Sequence, residues 1–174
     1  MAALFLIRHA EPAVKGVFLG QLDPLLSPAG HAQAQRVLSN LQVKIAYVSP
    51  LRRARETASY LRSAQVIVLP ELQEIDFGEW TGKTWQQIQT SWPELASQKL
   101  KGWLGITPPG GESWESFACR VHSAWDRIRS GPSPAAVVAH EGVNAALASI
   151  IDGRSPLNFS QAYTGITSIE YTTD

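Results

Sequence analysis

Ala2-Ala3-Leu4-Phe5-Leu6-Ile7-Arg8-His9-Ala10-Glu11 is the stretch that decides how this chain is read. The apolar run before Arg8 reads as a buried strand over residues 3–7. It delivers an arginine and a histidine side by side at its C-terminal end. Arg presents a planar fork of donors suited to phosphate oxygens, and a neutral imidazole presents a nitrogen nucleophile. Such a pair is common on surfaces; its placement at a strand end gives it chemical weight.

Outward from this strand, short apolar runs alternate with amphipathic stretches. Ser27-Pro28 opens a helix reaching about Leu41, with Ser as N-cap and Pro at the first helical position. A second strand is expected over 45–48, a helix over 51–62 and a third strand over 65–69. A helix over 113–129, a strand over 135–139, a helix over 142–151 and a last strand over 166–171 complete the pattern. This alternation predicts an α/β fold: three layers, α/β/α, a mostly parallel sheet and helices on both faces, as a single domain over residues 1–174. Residues 71–112 stand apart. They carry four of the six tryptophans and the Thr107-Pro108-Pro109-Gly110-Gly111 turn cluster, the composition of an insertion or lid without regular structure. Trp92, Trp103, Trp114 and Trp125 are evenly spaced, but their flanking residues do not match, so they are read as aromatic packing rather than a repeat.

Composition narrows the function. Fifteen basic and fifteen acidic residues give zero formal net charge, which argues against general capture of nucleic acid or an anionic membrane surface. Any anion site must therefore be local. The single cysteine, Cys119, rules out an intramolecular disulfide and a cysteine-cluster metal site, and is read as a small apolar residue on a helix. No apolar run approaches the ~20 residues of a membrane span, and the first is too short for a signal peptide. The expectation is a cytoplasmic protein, with which a homodimer is compatible; its motifs, rather than its composition, imply an enzyme that acts on a small molecule without metal or cofactor.

Three further segments follow expected strands and supply groups that phosphoryl chemistry uses. Ser49-Pro50-Leu51-Arg52-Arg53-Ala54-Arg55 puts arginines into the first turn of a helix, where free N–H groups already favour an anion. Arg52 and Arg55 are read as solvated. Glu71-Leu72-Gln73-Glu74-Ile75-Asp76 is dense in carboxylates; one of them near a bound phosphate would have its pKa raised and could act as a general acid. Val137-Val138-Ala139-His140-Glu141-Gly142 again ends a strand in histidine at a helix N-terminus. Ligands of open α/β sheets sit beyond the carboxyl ends of the strands, so Arg8, His9, Arg53 and His140 should converge. His31 and His122 lack such neighbours and are read as structural.

In this order and context the segments resemble the histidine phosphatase, or phosphoglycerate mutase-like, superfamily. The resemblance runs through Leu6-Ile7-Arg8-His9-Ala10-Glu11, Leu26-Ser27-Pro28-Ala29-Gly30, Ser49-Pro50-Leu51-Arg52-Arg53-Ala54-Arg55-Glu56-Thr57-Ala58, Glu74-Ile75-Asp76-Phe77-Gly78-Glu79-Trp80-Thr81-Gly82, Pro109-Gly110-Gly111-Glu112-Ser113 and Ala139-His140-Glu141-Gly142. It implies that His9 is the nucleophile that becomes phosphorylated, that Glu74 is the proton donor, and that Arg8, Arg53 and His140 clamp the phosphoryl oxygens. Arg53 is chosen within its cluster because the family's arginine directly precedes the alanine of that motif. The other ring N–H of His9 is expected to be held by a backbone carbonyl.

Two residues depart from the family's usual pattern: Ala10 stands where Gly is common, and Glu141 puts a carboxylate beside His140. The latter could keep His140 protonated or face the substrate. Between Thr84 and Glu112 the only cations are Lys99 and Lys101, whereas the mutases carry a pair of arginines there. The comparison favours a phosphomonoester hydrolase, similar to broad-specificity and α-ribazole phosphatases. A mutase-type phosphoryl transferase and a non-catalytic phospho-ligand module are the alternatives. The substrate is expected to be a small phosphorylated metabolite, with Trp80, Trp103 and Glu141 as substrate-side contacts.

Overall fold

The computed structural model describes residues 1–172, so the last two residues of the expected 1–174 unit lie outside the described residues. Strands β1 (Ala2–Arg8), β2 (Gln42–Val48), β3 (Arg62–Val68), β4 (Ala135–Ala139) and β5 (Ile166–Tyr171) form one sheet in the order β3-β2-β4-β1-β5. All neighbours run parallel except β5, which pairs antiparallel with β1 at the edge. The central strand β4 is buried at all five positions, as a parallel strand covered on both faces must be.

Alternation along the strands divides the interior into two cores. Leu4 and Leu6 of β1 with Ala135, Val137 and Ala139 of β4 face α5 (Trp114–Arg129) and α6 (Glu141–Asp152), meeting Phe117, Val121, Ile128 and Leu147. Ile7, Val48, Ala136 and Val138 face the other way, onto α1 (Pro28–Leu38) and α2 (Arg52–Ala58). Helices thus cover both faces of the sheet. The register pairs Arg8 with Ala139 and Val48 with Val138, and each ladder runs one bond further, from His9 N–H to the Ala139 carbonyl at 2.9 Å and from Ser49 N–H to the Val138 carbonyl at 3.0 Å. His9, Ser49 and His140 therefore emerge side by side from three adjacent strands.

The Ser27 N-cap lies where the sequence places it, and α5 opens on a second serine cap. The Ser27 hydroxyl accepts from Gly30 N–H at 2.9 Å, and that of Ser113 from Ser116 N–H at 3.1 Å. α2 is shorter than expected, ending at Ala58 instead of about Arg62. Tyr60 and Leu61 donate to carbonyls three residues back, which tightens the last turn, and Arg62 N–H already bonds to the Leu41 carbonyl at 3.2 Å, so the chain enters β3 early. Cys119 is on α5 as expected, but exposed rather than packed.

Residues 71–112 are more regular than their composition suggests. They contain α3 (Trp85–Ser91), opened by a reciprocal Thr84–Gln87 capping box, and α4 (Pro93–Lys101), with Pro93 in its first turn. Both are too short for periodicity to reveal. They enclose a satellite core of Trp80, Ile88 and Ala96, ringed by Phe18, Phe77, Trp85 and Trp92. The evenly spaced tryptophans serve different sites: Trp92 joins this satellite, while Trp125 packs on Tyr171 in the main core at 5.0 Å between ring centroids. No described helix is long and apolar enough to cross a membrane.

Gly78 ties the segment down. Its φ is 52°, and a Cβ there would collide with the Pro109 carbonyl and the Gly111 amide. Gly78→Ala is expected to lower stability by roughly 2 kcal/mol or more, read as an earlier midpoint in urea unfolding.

Candidate active site

His9 follows β1 directly and is 4 % exposed. Its Nδ1 lies 2.8 Å from the Ala10 carbonyl, which fixes Nδ1 as the N–H and leaves the lone pair on Nε2. Arg53 Nε donates to that Nε2 at 3.3 Å. Burial first, then the positive charges of Arg53 and Arg8, lowers the His9 pKa to about 3, so the ring is neutral at physiological pH. The backbone-carbonyl brace expected for this residue is present. Ala10 is fully buried against Leu26 and Ala34, and its N–H donates to Thr57 Oγ1 at 2.9 Å. Its methyl is packed in this small core, which explains how alanine is accommodated at this turn.

Arg53 is 1 % exposed. A buried guanidinium needs acceptors, and the loop after β1 provides two carbonyls: Gly20, at 2.8 Å from Nη2, and Leu22, bonded to Nη1. Arg52 and Arg55, in contrast, are exposed, in keeping with a solvated reading. Arg8 ion-pairs with Glu141 at 2.9 Å, donates to the Gln161 carbonyl and lies over the Tyr163 ring at 4.5 Å from its centroid. His140 caps α6 and its ring centroid is 5.2 Å from that of His9. Its Nε2 is 2.8 Å from Ser49 Oγ.

Burial, reinforced by Arg53, pushes the His140 pKa well below the usual histidine value, so this ring too is neutral. The expectation that Glu141 could hold it protonated is corrected. Glu141 turns instead to Arg8 and accepts from Gln161 N–H at 2.9 Å.

Glu74 arrives from the loop after β3, and burial raises its pKa against the opposing pull of the Ile75 N–H and Arg53. It packs so closely on α6 that a Cβ on Gly142 would stand 2.6 Å from its Oε1. The residue that holds this loop was not apparent from the sequence. Arg120, in the middle of α5, commits all five N–H groups here: three to the loop's carbonyls of Glu71, Gln73 and Glu74 at 2.8, 2.7 and 3.1 Å, and two to the Glu112 carboxylate at 2.7 and 2.8 Å. No strand end or local motif marks it. Ser49, Gln161 and Tyr163 were likewise missed, although Ser49 stands where a strand expected to feed the site ends.

Two cavities meet here. One of about 300 Å³ is lined by Arg8, His9, Gly20, Arg53 and Tyr163. A second of about 450 Å³ is lined by Trp103, Leu104, Trp114, Leu157 and Phe159. Arg8, Glu74, Phe77 and Glu141 border both. Glu141 lines both cavities and Trp103 lines the second. Trp80 does not: it is 0 % exposed, inside the satellite core, and its indole is structural rather than a substrate contact. His31 hydrogen-bonds Tyr60 at 3.0 Å and His122 faces Asp126 at 3.4 Å, both outside the cluster. Among the described residues no three His, Cys, Asp or Glu side chains are grouped to hold a metal ion.

The chain matches the family profile of the histidine phosphatase superfamily (branch 1) over residues 4–174. A Hydrogenobacter thermophilus protein provisionally named phosphoserine phosphatase 2 is 33% identical over 181 residues, covering 97% of this chain and 89% of the relative. A 2,3-bisphosphoglycerate-dependent phosphoglycerate mutase of Brucella anthropi is 30% identical over 171 residues, 88% of this chain and 82% of that protein. Among solved structures, the α-ribazole phosphatase of Shigella flexneri superposes with a TM-score of 0.84 at 27% identity, over 97% of this chain and 90% of that one. The converging His9, Arg53 and His140 side chains and these likenesses agree: the chain belongs to the histidine phosphatase superfamily and is an enzyme of the phosphatase kind.

Proposed function

We propose that this protein hydrolyses the phosphomonoester of a small metabolite through a phosphohistidine on His9. The observation that carries the reading is the state of the His9 ring: Nδ1 bound to the Ala10 carbonyl, Nε2 bare of protons and facing a buried guanidinium. That is an imidazole prepared to attack an anion held beside it. Two buried groups near it support a phosphoryl site: Arg8 Nε and His140 Nδ1 have no hydrogen-bond partner among the described residues. Buried donors left unmatched are costly, and phosphoryl oxygens would satisfy them. With the Ser49 hydroxyl, 2.8 Å from His140 Nε2, taken as the donor of that bond, Nδ1 carries the N–H of a neutral ring and His140 binds an oxygen without carrying charge.

In the first step the Nε2 lone pair of His9 forms a bond to phosphorus as the bond from phosphorus to the leaving oxygen breaks. Glu74 gives its proton to that oxygen. Arg8, Arg53 and His140 take the charge spreading over the remaining oxygens. In the second step water attacks phosphorus, the N–P bond returns its electrons to Nε2, and Glu74, now a carboxylate, accepts the water's proton. The sum is ester plus water to alcohol plus phosphate. A burial-raised pKa suits Glu74 to the donor role.

Hydrolysis is favoured over phosphoryl transfer because a mutase must hold its phosphorylated intermediate while it turns over. That requires several cations beyond the nucleophile. Between Thr84 and Glu112 the chain has only Lys99 and Lys101, and Lys101 is exposed.

His9→Ala is expected to lower kcat for an aryl phosphate by about a thousandfold or more, while the wild-type rate persists in a metal chelator. Glu74 acts first in its protonated form, so kcat/KM falls as pH rises through its elevated pKa. Glu74→Gln should remove that alkaline limb and cost about 10²–10⁴ in rate on an alkyl phosphate, with a smaller loss for a nitrophenyl ester, whose leaving group needs little protonation.

A further inference from the structure

Five charged side chains line the 450 Å³ cavity beyond the His9 pocket, and the protein itself accounts for four of them. Arg8 and Glu141 neutralise one another at 2.9 Å. Glu112 is paired with Arg120 at 2.7 Å. Burial biases Glu74 toward its neutral acid. The fifth is Lys99, in the last turn of α4, only 6 % exposed. Its Nζ donates to the Ile106 carbonyl at 2.6 Å and stands 5.1 Å from the centroid of the Trp103 ring. Among the described residues no carboxylate forms an ion pair with it.

An ammonium has three N–H donors, and the Ile106 carbonyl uses one. Burying a cation without a counter-charge is costly unless something else compensates it. Desolvation lowers the Lys99 pKa to about 8, which still leaves most molecules protonated at neutral pH. The mechanism proposed for His9 makes no use of this residue. Yet Lys99, Trp103 and Ile106 all line the 450 Å³ cavity, which shares Arg8, Glu74, Phe77 and Glu141 with the His9 pocket.

We propose that Lys99 anchors a carboxylate on the leaving alcohol, so that the enzyme takes phosphomonoesters whose departing part carries a carboxylate within an apolar frame. This rests on the phosphomonoesterase reading of the His9 pocket. A second phosphate is poorly matched, because a dianion asks for more than one cation, and Arg8, the other cation lining this cavity, serves the phosphoryl group at His9 in the proposed mechanism. Leu104, Trp114, Leu157 and Phe159 cover the carbon skeleton between the two charged ends.

Matched esters test this: phenyl phosphate and 4-carboxyphenyl phosphate, compared as a ratio of kcat/KM in wild type, Lys99→Met, Lys99→Arg and, as a surface control, Lys101→Met. One charge-assisted contact should favour the carboxylated ester in wild type by about tenfold or more. The ratio should fall to near one in Lys99→Met, survive largely in Lys99→Arg and match wild type in Lys101→Met. A wild-type ratio near one, or a ratio that Lys99→Met leaves unchanged, overturns the proposal. Should Lys99→Met fail to fold by circular dichroism, Lys99→Gln takes its place. If wild type hydrolyses neither ester, the phosphatase reading falls, and calorimetric affinities for the same two esters judge Lys99 by the same ratio.

Discussion

A guanidinium buried against a neutral imidazole is the interaction on which the rest of this structure depends. Arg53 is nearly inaccessible, yet its Nε–H stays at 3.3 Å from His9 Nε2, close enough for both to meet one phosphoryl group in the proposed mechanism. Such an arrangement is tolerable only where other acceptors share the cation. The carbonyls of Gly20 and Leu22 do so, and this requires the loop after β1 to wrap over the N-terminus of α2. The same positive surroundings, added to burial, suppress protonation of His9 and keep its Nε2 available. In the proposed mechanism, nucleophile and clamp are one electrostatic unit.

The proposed proton donor reaches this unit from another part of the chain. Glu74 lies on a loop with no strand of its own to fix it, and Arg120 supplies the missing rigidity from α5. Because Arg120 also holds Glu112, at the far end of the segment that begins near Glu74, the two ends are fastened together. The aromatic satellite core between them gives the segment an interior of its own. Trp80 belongs to that interior, which explains why a tryptophan beside the glutamate motif serves packing while Trp103, further on, reaches the cavity.

The residues legible in the sequence were those whose role follows from backbone topology. Parallel strands ending at one level put Arg8, His9 and His140 together, and the first turn of α2 brings Arg53 to the same edge. Ser27 announced its helix through local capping chemistry. What stayed hidden depends on contacts between residues distant in sequence. Arg120 sits 46 positions from Glu74, and Gln161 meets Asn144 and the Leu6 carbonyl across the fold. α3 and α4 are of seven and nine residues, too brief for a helical period to stand out against tryptophans and glycines. Glu141 was recognised as unusual, but its choice of Arg8 over His140 depends on where Gln161 places its N–H.

The central claim is that phosphorus passes through a covalent bond to His9. The most direct measurement is to mix the enzyme with a radiolabelled phosphomonoester, quench in alkali within milliseconds, and map the label by peptide mass spectrometry. The account predicts a phosphoryl group that survives alkali, is lost in acid, and resides on the peptide containing His9. Steady turnover with no protein-bound phosphoryl group at any quench time, or with the label on another residue, would contradict it.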